Sequence, residues 1–148
     1  MQPTRILPDL QCSLVCEDVR QEANGSLIMI GIMAVLPVPQ VPITAGRLVL
    51  LNRWCSGKGQ FTEAVRLLAP DQTTVLRKRD SQFAVQDIYV STTTVTVFGQ
   101  VEFKTAGVYF IEVLVDDVMK IRYPLPVLLA QQGQAGSPSG EKPSQPPA

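Results

Sequence analysis

The sequence contains no histidine, few aromatic residues and no excess of either charge. The absence of histidine removes the usual general base of hydrolases and the commonest zinc ligand. Ser-His-Asp and Cys-His catalytic arrangements are therefore excluded in their ordinary forms. Lys plus Arg and Asp plus Glu both number 13, so the formal net charge is zero. This balance argues against a nucleic-acid partner and an anionic membrane surface, because both attract a basic excess.

The chain also lacks a long apolar run. The longest, LIMIGIMAVLPVP from Leu27 to Pro39, is too short to cross a bilayer and ends in prolines. The N-terminal MQPTRILPDLQCSLVCEDVR has no continuous apolar segment of the kind that a signal peptide requires. Three cysteines are an odd number in a chain that can build a core without disulfides, so we interpret them as reduced thiols. These features predict a cytoplasmic protein.

The sequence does contain enough apolar material for one domain. Its 148 residues are 45% hydrophobic, which fits a single domain of ordinary size. The last stretch, QQGQAGSPSGEKPSQPPA, has almost nothing to bury, and we expect residues 131–148 to be disordered. We therefore predict an N-terminal arm at residues 1–7 and a folded domain at residues 8–130.

Apolar residues alternate with a period near two, and turn residues interrupt them at short intervals. This pattern predicts an all-β, antiparallel sandwich of about seven to nine strands. The predicted strands are residues 11–21, 26–36, 47–55, 61–68, 73–79, 93–103, 108–115 and 119–129. Residues 83–90 are predicted to be either a further short strand or an irregular crossing.

The first predicted hairpin turns at Asn24-Gly25. Both residues tolerate positive φ, so the pair is a strong signal for a two-residue loop. Counting outward from this loop places Cys16 opposite Met33.

The second predicted hairpin lies in the segment VYFIEVLVDDVMKIRY. A three-residue loop at residues 116–118 would place Val113 opposite Ile121 and Glu112 opposite Arg122. We prefer this register because a two-residue loop would place cations on the apolar face of the sheet. A bulge elsewhere in the hairpin could have the same effect.

Prolines interrupt the strand pattern in two places. Pro37, Pro39 and Pro42 interrupt the chain between the second and third predicted strands. Pro124 and Pro126 cannot donate to a strand ladder. We therefore predict that the last strand is an edge over that part.

Gly107-x-Tyr109, placed after a strand and a loop, resembles the tyrosine corner of immunoglobulin-like sandwiches. The resemblance implies that the Tyr109 hydroxyl bonds backward to the backbone and fixes the corner. The sequence departs from immunoglobulin domains in one respect. It has no Cys…Trp…Cys pattern, because Cys16, Trp54 and Cys55 have the wrong spacing.

Three longer stretches resemble a family of small bacterial proteins to which no activity has been assigned. They are CSLVCEDVRQEANGSLIMIGI, LNRWCSGKGQFTEAVRLLAPD and AGVYFIEVLVDDVMKIRYPLPV. The resemblance covers most of the chain up to Ala130. It implies a bacterial origin and a common immunoglobulin-like fold, and it implies no activity.

The most chemically suggestive stretch is RWCSGKG, from Arg53 to Gly59. A phosphate-binding loop would need glycine at position 52 and Ser or Thr at position 59, where this chain has Asn52 and Gly59. We favour a turn between two strands, with Trp54 packed in or near the core. A surface interaction patch of Arg53, Trp54 and Lys58 stays open as an alternative, because Arg and Trp are frequent at binding hot spots.

The cysteines offer little chemistry. About 13 Å of strand rise separates Cys12 from Cys16, which disfavours a shared metal ion. We expect neither a metal nor another cofactor. An enzyme without histidine would have to use Cys55 beside Arg53 and Lys58, since nearby cations activate a thiol. Glu17 and Asp18 would point to opposite faces of a strand and cannot act together as acid and base. A distant pair of carboxylates stays open, but no feature of the sequence indicates one.

We therefore expect a non-enzymatic protein-interaction or structural module with an unidentified protein partner. The alternative is a sandwich that binds a small ligand or a glycan. Glycan sites usually expose several aromatic rings, and this chain has 6% aromatic residues and one tryptophan. An open groove that holds Trp54 beside Tyr89 or Tyr123 would favour the alternative.

Overall fold

The computed structural model describes residues 4–130, which form nine strands in two sheets. The four-stranded sheet has the order β2-β1-β4-β7, and the five-stranded sheet has the order β3-β9-β8-β5-β6. The predicted all-β sandwich is confirmed. The described residues include no helix that is long and apolar enough to cross a membrane. The strands are β1 (Asp9–Gln21), β2 (Leu27–Ile32), β3 (Leu36–Val38), β4 (Ile43–Cys55), β5 (Gly59–Leu68), β6 (Val75–Val85), β7 (Thr92–Phe103), β8 (Gly107–Val115) and β9 (Val118–Leu129).

The main core lies between the inner faces of the two sheets. Leu48 and Leu50 of β4 are buried in it, together with Ile111 and Val113 of β8. Side chains alternate between the two faces of a strand, so Leu51 of β4 lies on the outer face. Burial of these apolar side chains between the sheets is the main term that stabilises the sandwich.

Tyr109 ties the start of β8 to the preceding loop. Its hydroxyl donates to the carbonyl of Thr105 at 2.7 Å, and its ring meets Phe103 edge-on with centroids 5.0 Å apart. Gly107 has a φ of 153°, and a Cβ there would lie 3.2 Å from the Pro70 side chain. The backward hydrogen bond is the contact that the resemblance to a tyrosine corner implies.

The first hairpin differs from the prediction by one residue. Cys16 opposes Ile32 instead of Met33, because the loop has three residues, 23–25, instead of two. Gly25 alone among them has a positive φ, at 91°. A three-residue loop of this kind ends with one residue in the left-handed region, whereas the predicted two-residue turn needs two such residues.

The single strand predicted at residues 26–36 is wrong. β2 ends at Ile32, and the chain crosses to the other sheet, where β3 pairs in parallel with β9 from Val127. Among the described residues, no strand pairs with that side of β9 at Pro124 and Pro126, so β9 is an edge there as predicted.

Two strands extend four or more residues beyond their predicted bounds. β4 already begins at Ile43, shortly after the last of the three prolines. β6 continues through the basic stretch RKRD to Val85, so Phe83 belongs to β6. The irregular crossing is therefore limited to the residues between Val85 and Thr92.

The second hairpin has a two-residue loop, so the preferred three-residue loop is wrong. Asp116 and Asp117 both have positive φ, at 46° and 66°, and Val115 opposes Val118. The register shifts once between Val113 and Leu114, which is a bulge of the kind that the sequence left open. Beyond the bulge the predicted pairs form, including Val113–Ile121 and Glu112–Arg122.

The described part of the predicted N-terminal arm is bound to the domain. Ile6 exchanges two backbone hydrogen bonds with Lys58, each of 2.9 Å. Arg5 forms an ion pair with Asp116, whose pKa is lowered first by a hydrogen bond from the backbone of Thr62 and then by Arg5. The described residues of the predicted arm, 4–7, therefore contact the domain. The predicted disordered tail, residues 131–148, lies outside the described residues.

We expect Tyr109→Phe to lower the free energy of unfolding by about 1 kcal/mol, because it removes the hydroxyl that bonds to Thr105 and keeps the buried ring. Urea unfolding followed by fluorescence would measure the change. Tyr89→Phe is the matched control, since Tyr89 is 89% exposed. Equal stability of the two variants would show that the backward hydrogen bond contributes nothing.

Candidate functional site

The stretch RWCSGKG completes β4 and leads into β5. Trp54 is 0% exposed, and its ring stacks on Phe83 with centroids 5.2 Å apart. Trp54 therefore takes no part in a surface patch, and the patch that included it is wrong. Arg53 and Lys58 are both exposed, but they line different clefts. The three residues of the predicted patch are therefore separated: Trp54 lies in the core, and Arg53 and Lys58 lie in two different clefts.

A buried carboxylate that the sequence did not single out lies beside Trp54. Glu63 is 0% exposed, and its Oε2 accepts hydrogen bonds from three neutral donors. They are Trp54 Nε1 at 2.6 Å, Thr94 Oγ1 at 2.6 Å and Asn52 Nδ2 at 3.1 Å. Its Oε1 makes no hydrogen bond with any described residue, and no described cation forms an ion pair with it.

The Glu63 cluster connects the two sheets. Glu63 belongs to β5 of the five-stranded sheet, whereas its donors belong to β4 and β7 of the four-stranded sheet. A buried polar group stabilises a fold only when it is hydrogen-bonded, and three donors on one oxygen meet that requirement for Oε2. Because the side chain is fully buried, we assign it a structural role and not a catalytic one.

The three thiols are free and belong to two neighbouring strands. Cys12 and Cys16 belong to β1, and Cys55 ends β4 opposite Asp9. Burial raises the pKa of the Cys16 thiol, which favours the neutral form. Among the residues that the structure describes, no group of three Cys, Asp or Glu side chains could hold a metal ion.

The aromatic residues do not form the open groove that a glycan site would need. Trp54 is buried against Phe83, and Tyr89 is almost fully exposed. Tyr123 is half-buried and its hydroxyl lies 2.9 Å from Ser13 Oγ, while burial raises the pKa of Tyr123 to about 12. The arrangement therefore does not favour carbohydrate binding.

Four strands are outermost in the two sheets: β2 and β7 in one, β3 and β6 in the other. β9 is also open on one side as far as Pro126, and there it carries Lys120, Arg122 and two prolines. An unpaired edge is a template for pairing with another chain, and proteins usually protect it with prolines or charges. β3 has three residues with Pro37 in the middle. β6 carries the charged stretch RKRD, from Arg77 to Asp80.

The edge strand β7 is uncharged over most of its length, but β6 of the other sheet covers part of it. The Thr92 hydroxyl donates to the carbonyl of Ala84 at 2.7 Å. The Arg77 guanidinium donates to the carbonyl of Gly99 at 2.5 Å. These two contacts hold the β7 edge against β6 at Thr92 and at Gly99.

The edge strand β2 is protected neither by prolines nor by charges. Its sequence, LIMIGI, contains no charged residue and no proline. Leu27, Ile28 and Ile32 are 39%, 42% and 59% exposed. Within the described residues, β2 pairs with β1 on one side and with no strand on the other. We call this surface, residues Leu27–Ile32, the β2 edge.

A cleft of about 760 Å³ lies between the tip of the β1–β2 hairpin and the outer face of β4 and β7. Arg53 lies in this cleft, not in the patch that the sequence suggested. We call it the hairpin cleft. The residues that define it here are Cys12, Leu27, Met29, Leu51, Arg53 and Val95.

We expect Trp54→Phe to lower the free energy of unfolding by about 2 kcal/mol, because it removes a hydrogen bond to a buried carboxylate. Urea unfolding would measure the loss. The same substitution in a Glu63→Gln background should cost less, since the remaining acceptor is neutral. An equal loss in both backgrounds would assign the whole effect to ring packing.

No curated protein matches this sequence. One family model does match, and it covers residues 11–128. The match begins within β1 and ends within β9, so it includes the Glu63 cluster, the β2 edge and the hairpin cleft. The chain belongs to the family described as "Family of unknown function (DUF6941)".

Proposed function

We propose that this protein is a non-enzymatic interaction module that binds an extended segment of another protein along the β2 edge. The observation that carries the proposal is the contrast among the sheet edges. β3 contains proline, β6 is charged and β7 is bonded to β6, whereas the β2 edge is apolar, uncharged and exposed. Addition of a strand to an exposed edge is a common mode of peptide recognition.

The mode of binding follows from the geometry of a strand. The backbone groups of β2 that point away from β1 would pair with the backbone of the incoming segment. Ile28 and Ile32 lie on one face of β2, so alternate apolar residues of the partner would cover them. The partner is thus an extended, uncharged segment with aliphatic residues at every second position.

Several other features support a binding role over an enzymatic one. The chain has no histidine, the Glu63 carboxylate is fully buried, and Lys58 and Arg53 line different clefts. We place the protein in the cytoplasm because of its reduced thiols. We assign no function to residues 131–148.

We also infer that the sandwich is immunoglobulin-like. The order β1-β4-β7 facing β5-β8-β9 corresponds to strands A-B-E facing C-F-G of that fold. The backward hydrogen bond of Tyr109, at the start of the strand equivalent to F, supports the same inference. In such folds the sheets are a scaffold, and function depends on the surfaces that they present.

The test compares capture of partners from a native lysate by the full chain and by a double variant, Ile28→Lys with Ile32→Lys. Charges on an edge strand oppose strand addition, so we expect the double variant to lose the specific partner at least about tenfold. Val108→Lys is the matched control, because Val108 is 41% exposed but lies on β8, in the interior of a sheet. Quantitative mass spectrometry measures the captured proteins.

A second measurement locates the contact. In the purified complex, amide hydrogen exchange should slow within residues 27–32 and stay unchanged in β6. Retention of the partner by the double lysine variant, or capture of no specific partner by the unmodified chain, would contradict the proposal.

A further inference from the structure

We propose that the hairpin cleft binds a small carboxylate that carries an unbranched apolar chain. This inference concerns the side of the hairpin that faces the sheet, which shares Leu27 and Met29 with the β2 edge, and it does not depend on the function proposed above. It rests on the size of the cleft, on the side chains that line it and on the absence of an ion pair at Arg53 among the described residues.

The size and the walls suit a small ligand with both a polar and an apolar part. At about 760 Å³, the cleft is in the range of small-molecule sites, which is about 300–1,000 Å³. Leu27 and Met29 of the hairpin and Leu51 and Val95 of the sheet supply aliphatic surface. A similar share of the lining comes from neutral polar side chains: Gln11, Gln21, Ser26 and Thr93. No aromatic side chain is among the described residues that line it, so the walls offer an alkyl chain aliphatic contacts but offer a flat ring no stacking partner.

Arg53 supplies the polar anchor. It is the one cation among the described residues that line the cleft, and no described carboxylate lines it. Arg53 also makes no ion pair with any described residue. Its planar guanidinium can donate two parallel hydrogen bonds to a carboxylate.

Other arginines on the outer faces of the sheets differ from Arg53 in this respect. Arg47, on the same strand, pairs with Asp18 at 2.9 Å. Arg122 pairs with Glu112 at 3.3 Å and lies over an aromatic ring on the five-stranded sheet. Arg53 is thus an uncompensated charge in a cleft whose remaining lining is partly aliphatic and partly neutral and polar. That arrangement matches an anion with a single charge and an apolar body.

The Cys12 thiol lies beside Arg53 and can be labelled chemically. It opposes Arg53 in the β1–β4 pairing, and its side chain is half-buried at the cleft. Residues directly opposite each other in an antiparallel pair project to the same face. A carboxylate bound to Arg53 would therefore shield the Cys12 thiol.

The first experiment titrates the full-length protein with decanoate and with decanol, using calorimetry. We expect decanoate to bind at least about tenfold more tightly than decanol, because only decanoate carries the charge that Arg53 recognises. Arg53→Gln should lower the decanoate affinity about tenfold and leave decanol binding unchanged. Arg79→Gln, on the other sheet, should change neither affinity. Equal binding of both compounds, no binding of decanoate, or full decanoate affinity in Arg53→Gln would overturn the proposal.

A matched pair of variants tests the location. Val95 and Val97 are 40% and 41% exposed on the same face of β7, and only Val95 is among the lining residues. Val95→Glu places a carboxylate diagonal to Arg53 and should abolish decanoate binding, whereas Val97→Glu should retain it. Equal effects of the two substitutions would place the ligand elsewhere and overturn the assignment to this cleft.

Thiol labelling gives an independent readout. Iodoacetamide modification, resolved by peptide mass spectrometry, should slow at Cys12 when decanoate is bound and stay unchanged at Cys55. Arg53→Gln should remove this protection at the same decanoate concentration. Unprotected Cys12 in the decanoate-saturated protein would contradict binding at Arg53.

Discussion

The structure depends on a carboxylate that is buried between two sheets without a cation. Glu63 of β5 accepts hydrogen bonds from β4 and β7, so it fixes where the two sheets meet. One of its donors is the Trp54 indole, which therefore has to face inward. Since neighbours on a strand point to opposite faces, an inward Trp54 places Arg53 on the outer face. The internal hydrogen bond thus determines where the one cation of the hairpin cleft lies.

Periodicity was enough to predict the class of fold and much of the core, because period-two burial is a local property. It was not enough to predict the Glu63 cluster. In FTEAV, Glu63 takes the inward position between Phe61 and Val65, and that placement was a signal in the sequence. Its donors come from strands that are distant in the chain, and Thr94 is 31 residues away. Contacts of that separation depend on how the sheets face each other.

The errors of register arose in the loops, where one residue changes every pair that follows. Asn24-Gly25 suggested a two-residue turn, yet Gly25 alone has positive φ in the loop that forms. Conversely, Asp116 and Asp117 both take positive φ, and the bulge beyond them restores the pairs that the apolar pattern requires. Burial therefore determined the register of the second hairpin. The first hairpin has little buried surface near its tip, so loop conformation determined its register instead.

The same hairpin explains why two binding surfaces lie close together. The β1–β2 hairpin continues past Cys16, where the pairing of β1 with β4 ends. It therefore has one open edge and one side that faces the sheet. Its open edge is β2, with Ile32 the most exposed of the three exposed aliphatic residues there. Its other side, through Met29, meets Leu51 and Arg53 across the hairpin cleft. A partner strand on the edge would use backbone groups, whereas a ligand in the cleft would use a single charge. The two kinds of recognition are therefore separable by substitution even though one hairpin supports both.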